Sequence, residues 1–236
     1  ERTIEPKSLQ VNLQLCKADF RSDWDAISMG YSAHDSLPPS FADFLLGHVA
    51  AKVAQKTEQD IWNGAAATNG SIAGFKELML ADADVTDVGA GAAVSAANCI
   101  DKLGLVVDSI PSQIYTSEDL YIYVSQNVAR AYVRALGGFQ ATIGGAGTDD
   151  KGTQWYNGGG LSFDGVKIAV ANGLPDNTMV AAEKSNLFFG TGLLNDQNEV
   201  KVIDMADIDG SQNVRVVMRY TAAVQYGLGS EIVLYS

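Results

Sequence analysis

Protein chemistry starts from a few side-chain types at particular spacings, and this sequence offers few of them. Its 2 histidines are His34 and His48. A hydrolytic nucleophile needs a base beside it, yet no GxSxG elbow occurs. The zinc-binding HExxH and the phosphate-cradling GxxxxGK[ST] are missing too. Gly89-Ala90-Gly91 lacks the third glycine of a dinucleotide fingerprint and follows no clear strand. His48 falls beside an apolar helical stripe, which predicts a packed, neutral imidazole. The sequence therefore assigns no catalytic residue, no cofactor-binding residue and no metal ligand.

Two sets of carboxylates have the right type for holding a cation. Asp204, Asp207 and Asp209-Gly210 match part of a calcium loop, but Met205 occupies its opening position and Val216 replaces its closing glutamate. Asp82, Asp84 and Asp87 are expected to form a solvated loop. Asn69-Gly70-Ser71 fits a glycosylation acceptor, a pattern without force where no secretory signal opens the chain. Cys16 and Cys99, far apart and outside any CxxC, are expected as free thiols of a reducing compartment. Arg215 and Arg219 share the polar side of an alternating segment that has few other charges. They are either a solvated face with buried stems or planar forks aimed at carboxylates of a neighbouring chain.

Composition narrows the classes further. Hydrophobic residues make up 47% and charged residues 19%, the balance of a globular chain. A chain of 236 residues forms one large domain or two moderate ones, burying roughly 70–75% of the surface its unfolded form exposes. Sixteen basic against 28 acidic residues leave a net charge of −12. The first quarter and the last third share that imbalance, and no arm concentrates positive charge. Affinity for nucleic acid comes from neutralising phosphates, so specific nucleic-acid recognition is not expected. No apolar run approaches the ~18–20 residues that span a bilayer, and no membrane partner is expected. The chain opens at Glu1 without a signal peptide, which suggests a cytoplasmic origin and an upstream segment either removed or not included.

The elements that would position these residues are long. Leu9, Val11, Leu13 and Leu15 alternate with Gln10, Asn12 and Gln14, predicting a half-buried strand. After the stop at Pro38-Pro39, Ser40 is placed to cap a helix that has Asp43 in its first turn. Phe41, Phe44, Leu45, Val49, Val53 and Ile61 form its stripe, and Asn63-Gly64 ends it. Such a rod is about 36 Å long. A second helix is predicted from Ser95 to about Ser109, with Ile100, Leu103 and Val107 inward. Leu120–Val124 reads as a buried strand, and Ser125 as the cap of a short helix carrying Val128, Tyr132 and Leu136. A glycine-rich loop over 141–160, a turn at Asp164-Gly165, another at 172–175 and a strand around Val200–Ile203 follow. Residues 214–226 alternate without a break, implying a strand of about 44 Å, well beyond the usual length. Gly227-Leu228-Gly229 then turns the chain so that Ile232–Tyr235 returns alongside, a long terminal hairpin covered on one side by the long helix.

This order of elements resembles the Hong Kong 97-type major capsid proteins of tailed bacteriophages. FADFLLGHVAAKVAQKTEQDIWNG, residues 41–64, resembles their spine helix, and the stretch to Gly74-Phe75 their loop leaving it. LYIYVSQNVARAYVRAL, residues 120–136, is similar to the strand and helix of the axial domain. Residues 161–193, LSFDGVKIAVANGLPDNTMVAAEKSNLFFGTGL, look like its return strands. NVRVVMRYTAAVQYGLGSEIVLYS, residues 213–236, resembles the final peripheral strands. The run is most similar to capsid proteins of phages with Bacteroides-like hosts. ERTIEPKSLQVNLQLCK looks like the returning strand of the family's extended loop, so the family's N-terminal arm is expected to be missing.

The resemblance implies an α+β capsid fold with a long spine helix, a long antiparallel hairpin and a mixed α/β axial domain. Residues 1–35 are the remnant of the extended loop. Residues 36–75 and 206–236 form the peripheral domain, and 76–205 the axial domain. The implied role is structural and not enzymatic: a major head protein, without cofactors, that self-assembles in the bacterial host cytoplasm into an icosahedral virion shell around double-stranded DNA. Its partners would be other copies, in pentamers and hexamers, with a scaffolding protein or a maturation protease. An encapsulin-like nanocompartment shell and a non-catalytic α+β binding module are the alternative readings.

Overall fold

Strand pairing sorts the chain into two sheets. The structure, a computed structural model, describes residues 2–16, 19, 39–89, 93–136, 160–192 and 200–236, with backbone alone at 39–42, 44, 45, 207 and 209. In chain order the elements are β1 (Lys7–Cys16), α1 (Pro39–Asn63), α2 (Phe75–Leu80), β2 (Thr86–Asp87), α3 (Cys99–Asp108), β3 (Leu120–Val124) and α4 (Gln126–Leu136). Then come β4 (Ser162–Phe163), β5 (Val166–Val170), β6 (Met179–Glu183), β7 (Leu187–Gly190), β8 (Val200–Asp204), α5 (Ala206–Asp209), β9 (Asn213–Tyr226) and β10 (Val233–Tyr235).

The alternating segment is one strand of 14 residues, β9, and it organises the first sheet. β1 runs antiparallel to it from Lys7↔Ala222 to Cys16↔Asn213. β8 pairs antiparallel with Val214–Met218, residues that β1 also pairs, so β1 and β8 take opposite edges. β7 pairs with Ala223–Tyr226, beyond the end of β1. The even side of β9 is the inner one: Val214, Val216, Ala222, Val224 and Tyr226 are buried, and α1 crosses it with the Thr57 and Tyr220 hydroxyls 3.4 Å apart. The odd side is the more open one over 213–221, where Arg219 is exposed and Arg215 and Val217 are half-buried, whereas Ala223 beyond it is buried.

The second sheet has six strands in the order β2-β10-β6-β3-β5-β4. It is a wall between two cores, because period-two alternation sends neighbouring side chains to opposite faces. On one face α3 and α4 cover Ile122, Val124, Met179, Val233 and Tyr235. On the other, Val180, Ala182, Ile232 and Leu234 join Trp62, Phe75, Met79 and Tyr226. Trp62 is the hinge of that second core, 5.4 Å from the Phe75 ring and 5.1 Å from that of Tyr123. The hairpin turn between β4 and β5 places Asp164 (φ 47°) and Gly165 (φ 82°) in the left-handed region, as a tight two-residue turn requires.

Several expectations change. The terminal hairpin does not form: after a 3₁₀ turn at Gly229–Glu231, β10 pairs antiparallel with β6 and parallel with β2. All of Ile232–Tyr235 is buried, and a segment apolar on both sides belongs inside a covered sheet. The long hairpin lies instead on the other side of β9, where β8 and β9 are joined through α5. Helix α1 starts at Pro39, so that Ser40 lies inside it and is not its cap, since a proline's fixed φ and missing N–H suit a first helical turn. Asp43 consequently falls outside that turn. Helix α3 starts at Cys99, and its buried stripe is Cys99, Leu103, Val106 and Val107. Ile100 lies off that stripe and is 45% exposed. The Ser125 hydroxyl donates to the side chain of Asn127, in the first turn of α4, at 2.6 Å, and it is Asn127 Oδ1 that accepts a helix N–H, from Val128 at 2.8 Å. Residues 17, 18, 20–38 and 141–159, with Phe41, Phe44 and Leu45 of the predicted stripe, lie outside what is described.

Candidate assembly surface

The residues singled out for chemistry are scattered. His48 is exposed on α1 and not packed as expected, because the stripe through Val49 turns it outward. His34 lies outside the described residues. Asp204 ends β8, where its Oδ1 accepts the Ala206 N–H at 3.0 Å and starts the short helix α5. Gly210 (φ 70°) closes that helix in the left-handed region. The Asp204 carboxylate thus serves a turn, and the side chains of Asp207 and Asp209 lie outside the described residues. Among the described residues, no three His, Cys, Asp or Glu side chains gather as metal ligands.

Asp82 and its neighbours have local duties as well. Asp82 pairs with Arg2 and accepts the Tyr226 hydroxyl at 2.9 Å and the Asp84 N–H at 3.1 Å. Asp87 accepts the Gly89 N–H at 2.9 Å. The Arg2 guanidinium lies 4.3 Å above the Tyr226 ring. Its hydrogen bond holds the Asp82 carboxyl below the ordinary carboxylate range. Burial and the bond to Asp82 push the Tyr226 phenol up to about 12. The three residues form a clasp that ties the segment ahead of β1 to α2 and the end of β9. Gly89 is small for packing: a Cβ there would lie 2.4 Å from the Ser236 nitrogen. Cys99 and Cys16 are free thiols; burial pushes Cys99 up to about 11, far from a reactive thiolate.

What remains is the solvent face of the β9 sheet, and register builds it residue by residue. Gln14 lies opposite Arg215, Asn12 opposite Val217 and Gln10 opposite Arg219. From the other edge, Lys201 lies opposite Val217 and Ile203 opposite Arg215. The result is a ladder of amides beside three cations, with no carboxylate among its described residues. Arg215 is half-buried; Nη2 donates to Gln14 Oε1 at 3.3 Å, while Nε is shielded from solvent without a hydrogen-bond partner. Arg219 is exposed. The two arginines were visible in the sequence. Lys201 and the amide ladder were not, because the pairing of β1 and β8 with β9 joins segments distant in the chain. The matching signal was the Gln10–Gln14 alternation.

No family model and no curated protein matches this sequence. Solved structures do match, at low identity. A chain of the satellite phage P4 procapsid including size determination (Sid) protein is 9% identical, with a TM-score of 0.60 over 98% of this chain and 75% of that one. The capsid of Myoviridae phage XM1 gives 10% identity and a TM-score of 0.56 over 98% and 73%. A virus-like particle from Pyrococcus furiosus gives 8% and 0.52 over 98% and 76%. The chain has the Hong Kong 97-type fold of phage capsid subunits, an α+β arrangement of long helix, long strands and a mixed sheet. Among the described residues, no helix is long and apolar enough to cross a membrane.

Proposed function

We propose that this chain is the major head protein of a tailed phage, self-assembling into an icosahedral shell around double-stranded DNA. The observation that carries this reading is a fold shared with capsid chains over 98% of this chain's length. Of the described residues weighed for chemistry, Asp82 serves a clasp, Asp87 and Asp204 serve turns, and Cys99 lies in a core. In the shell, copies meet head-to-tail around five-fold and six-fold axes, a heterologous contact that closes into rings. Many weak contacts per copy then hold the particle.

Residues 36–75 and 206–236 form the peripheral part in this reading and 76–205 the axial part, with β10, at the end of the peripheral segment, pairing into the six-stranded sheet. The extended β1 corresponds to the returning strand of the family's extended loop. A scaffolding protein or maturation protease would act during assembly in the host cytoplasm, and the resemblance in residues 161–193 and 213–236 favours a Bacteroides-like host. A second reading is an encapsulin-like nanocompartment shell, with which the likeness to the virus-like particle from Pyrococcus furiosus is compatible. A small-molecule binding module would need a concave and mostly apolar site; among the described residues, an open cleft of about 490 Å³ beside Tyr115, Asp164 and Lys167 has that tyrosine as its sole aromatic.

Electron microscopy of the protein expressed alone and with its scaffolding protein tests the proposal. Closed shells or hexameric sheets are expected. Shells filled with a co-expressed protein and never with DNA would favour the second reading, and a persistent monomer under both conditions would overturn both.

A further inference from the structure

The cationic ladder on β9 has a complement elsewhere on the same chain. Helix α3 buries Cys99, Leu103, Val106 and Val107 and turns its other side to solvent. At 100° per residue, Ile100, Gly104, Asp108, Asp101 and Leu105 fall on one continuous arc of that side. Ile100 and Leu105 are 45% and 47% exposed, and both aspartates are exposed. A Cβ on Gly104 would meet nothing within 4 Å, so the middle of the arc is open and low. Lys102, the helix's cation, leans the other way, 5.7 Å from the Tyr235 ring centroid. The exposed arc thus has two carboxylates flanking apolar groups and no cation.

The β9 face repeats the pattern with the opposite sign. Arg215 and Arg219 flank Val217 and lie about 13–14 Å apart along the strand, and the exposed Ile203 sits beside them. Asp101 and Asp108 lie about 10 Å apart along the helix, within reach of two long guanidinium arms. The two surfaces are separate. The α3 arc lies on the side of the helix away from the core that α3 and α4 share with the six-stranded sheet, and the ladder lies on the side of β9 away from its buried Val214 and Val216. Among the described residues, Arg215 and Arg219 have no ion-pair partner within the chain. An Arg fork desolvated without a carboxylate loses more than one left in water, and Arg215 Nε is already shielded.

We infer that the solvent face of β9, through Arg215 and Arg219, docks on the Asp101–Asp108 face of α3 in a second copy of the chain. The inference rests on the shell reading and names the surfaces of one of its contacts. Because the two patches differ, the contact is head-to-tail and propagates from copy to copy. Like charges keep two ladders, or two α3 arcs, from meeting face to face.

Four proteins test this under the conditions in which the unmodified chain forms shells: the unmodified chain, Arg215→Glu/Arg219→Glu, Asp101→Arg/Asp108→Arg, and all four changes together. Particles are counted by electron microscopy and sedimentation, and thermal unfolding by circular dichroism checks that each variant folds. Each double reversal should lose shells while keeping its fold, and the fourfold variant should regain them. Shells persisting in either double reversal, or a folded fourfold variant that stays unassembled, would overturn the pairing and leave the shell reading standing. Normal shells of the β9 variant that lack DNA would assign the ladder to nucleic acid and overturn it as well. Should a fourfold variant misfold, the milder pair Arg219→Glu with Asp101→Arg repeats the same loss and rescue. An unmodified chain that never assembles would instead sink the shell reading itself, and this pairing with it.

Discussion

The two sheets of this molecule are built on opposite plans. The six-stranded sheet is finished by its own chain: Ile122, Met179 and Leu234 are 0% exposed, and both faces are covered. The β9 sheet is finished on one face alone. Its inner side holds Val214 and Val216 at 1% and 0% exposure, while its outer side presents arginines and amides. β1 shows the gradient along a single strand, from Leu9 at 5% to Leu13 at 38%. The six-stranded sheet stores the fold's stability, whereas the β9 sheet spends length on reach. A long strand with one polar face suits contact with something outside the chain.

The largest test of that contrast is a pair of truncations. Ile122→Ala should remove about 2–5 kcal/mol of unfolding free energy, the cost of a large-to-small change in a packed core. Leu13→Ala, at a site already part-exposed, should cost less than about 1 kcal/mol. Urea unfolding of the unassembled protein measures both. Equal losses would mean that the β9 sheet is as self-sufficient as its neighbour.

The seam between the two plans comes next. Gly173 lies against α1, and a Cβ there would stand 2.0 Å from the Glu58 carbonyl oxygen. Gly173→Ala forces helix and turn apart, at about 1–3 kcal/mol for overpacking. The melting temperature should fall while the transition stays single. Two separate transitions would show that the halves unfold independently.

The clasp at the end of β9 sharpens the comparison through pH. Tyr226→Phe deletes the hydroxyl that meets Asp82, for a loss of about 1 kcal/mol near neutral pH. The phenol's folded value is raised from 10.0 to about 12, so its contribution is complete below 10.0 and disappears as pH climbs between those values. The variant should therefore lose less stability across that alkaline window than the parent. Asp82 acts in the opposite sense: its folded value is depressed by Arg2. Its contribution is present above the ordinary carboxylate range and vanishes as acid protonates it, and Asp82→Asn should flatten the acid limb.

The same contrast explains what could be read from the sequence. β9, α1 and β3 were legible because each is a local pattern: alternation in 214–226, a stripe ended by Asn63-Gly64, and the apolar run Leu120–Val124. The turn at Asp164-Gly165 was legible from glycine chemistry. The partner of β10 was not, since Ile232–Tyr235 is apolar on both sides and pairs with strands far back in the chain. Ile100 was misplaced because a short helix rich in apolar residues offers two stripes one residue apart, and the α4 and β10 packing decides between them. The ladder was half legible: the arginines announced themselves, but their alignment with Gln10, Asn12 and Gln14 depends on register between residues some 200 positions apart.

The smallest expected effect is the most telling about the outer face. Arg219 is exposed and makes no ion pair among the described residues, so Arg219→Gln should change the stability of the unassembled chain by no more than about 0.5 kcal/mol, as for most surface changes. If the side chain serves another copy, its cost appears elsewhere, as fewer particles at a given concentration and a steeper loss with added salt, since screening weakens the remaining charge pairs. The control is Lys56→Gln on α1, where the lysine already pairs with Asp60 at 2.8 Å. That change should lower stability more than Arg219→Gln does, because it leaves a buried carboxylate short of a partner, yet leave particle yield at matched folded concentration unaltered. A reversed ranking, with Arg219 mattering to the isolated chain and Lys56 to assembly, would mean that β9's polar face stabilises its own subunit.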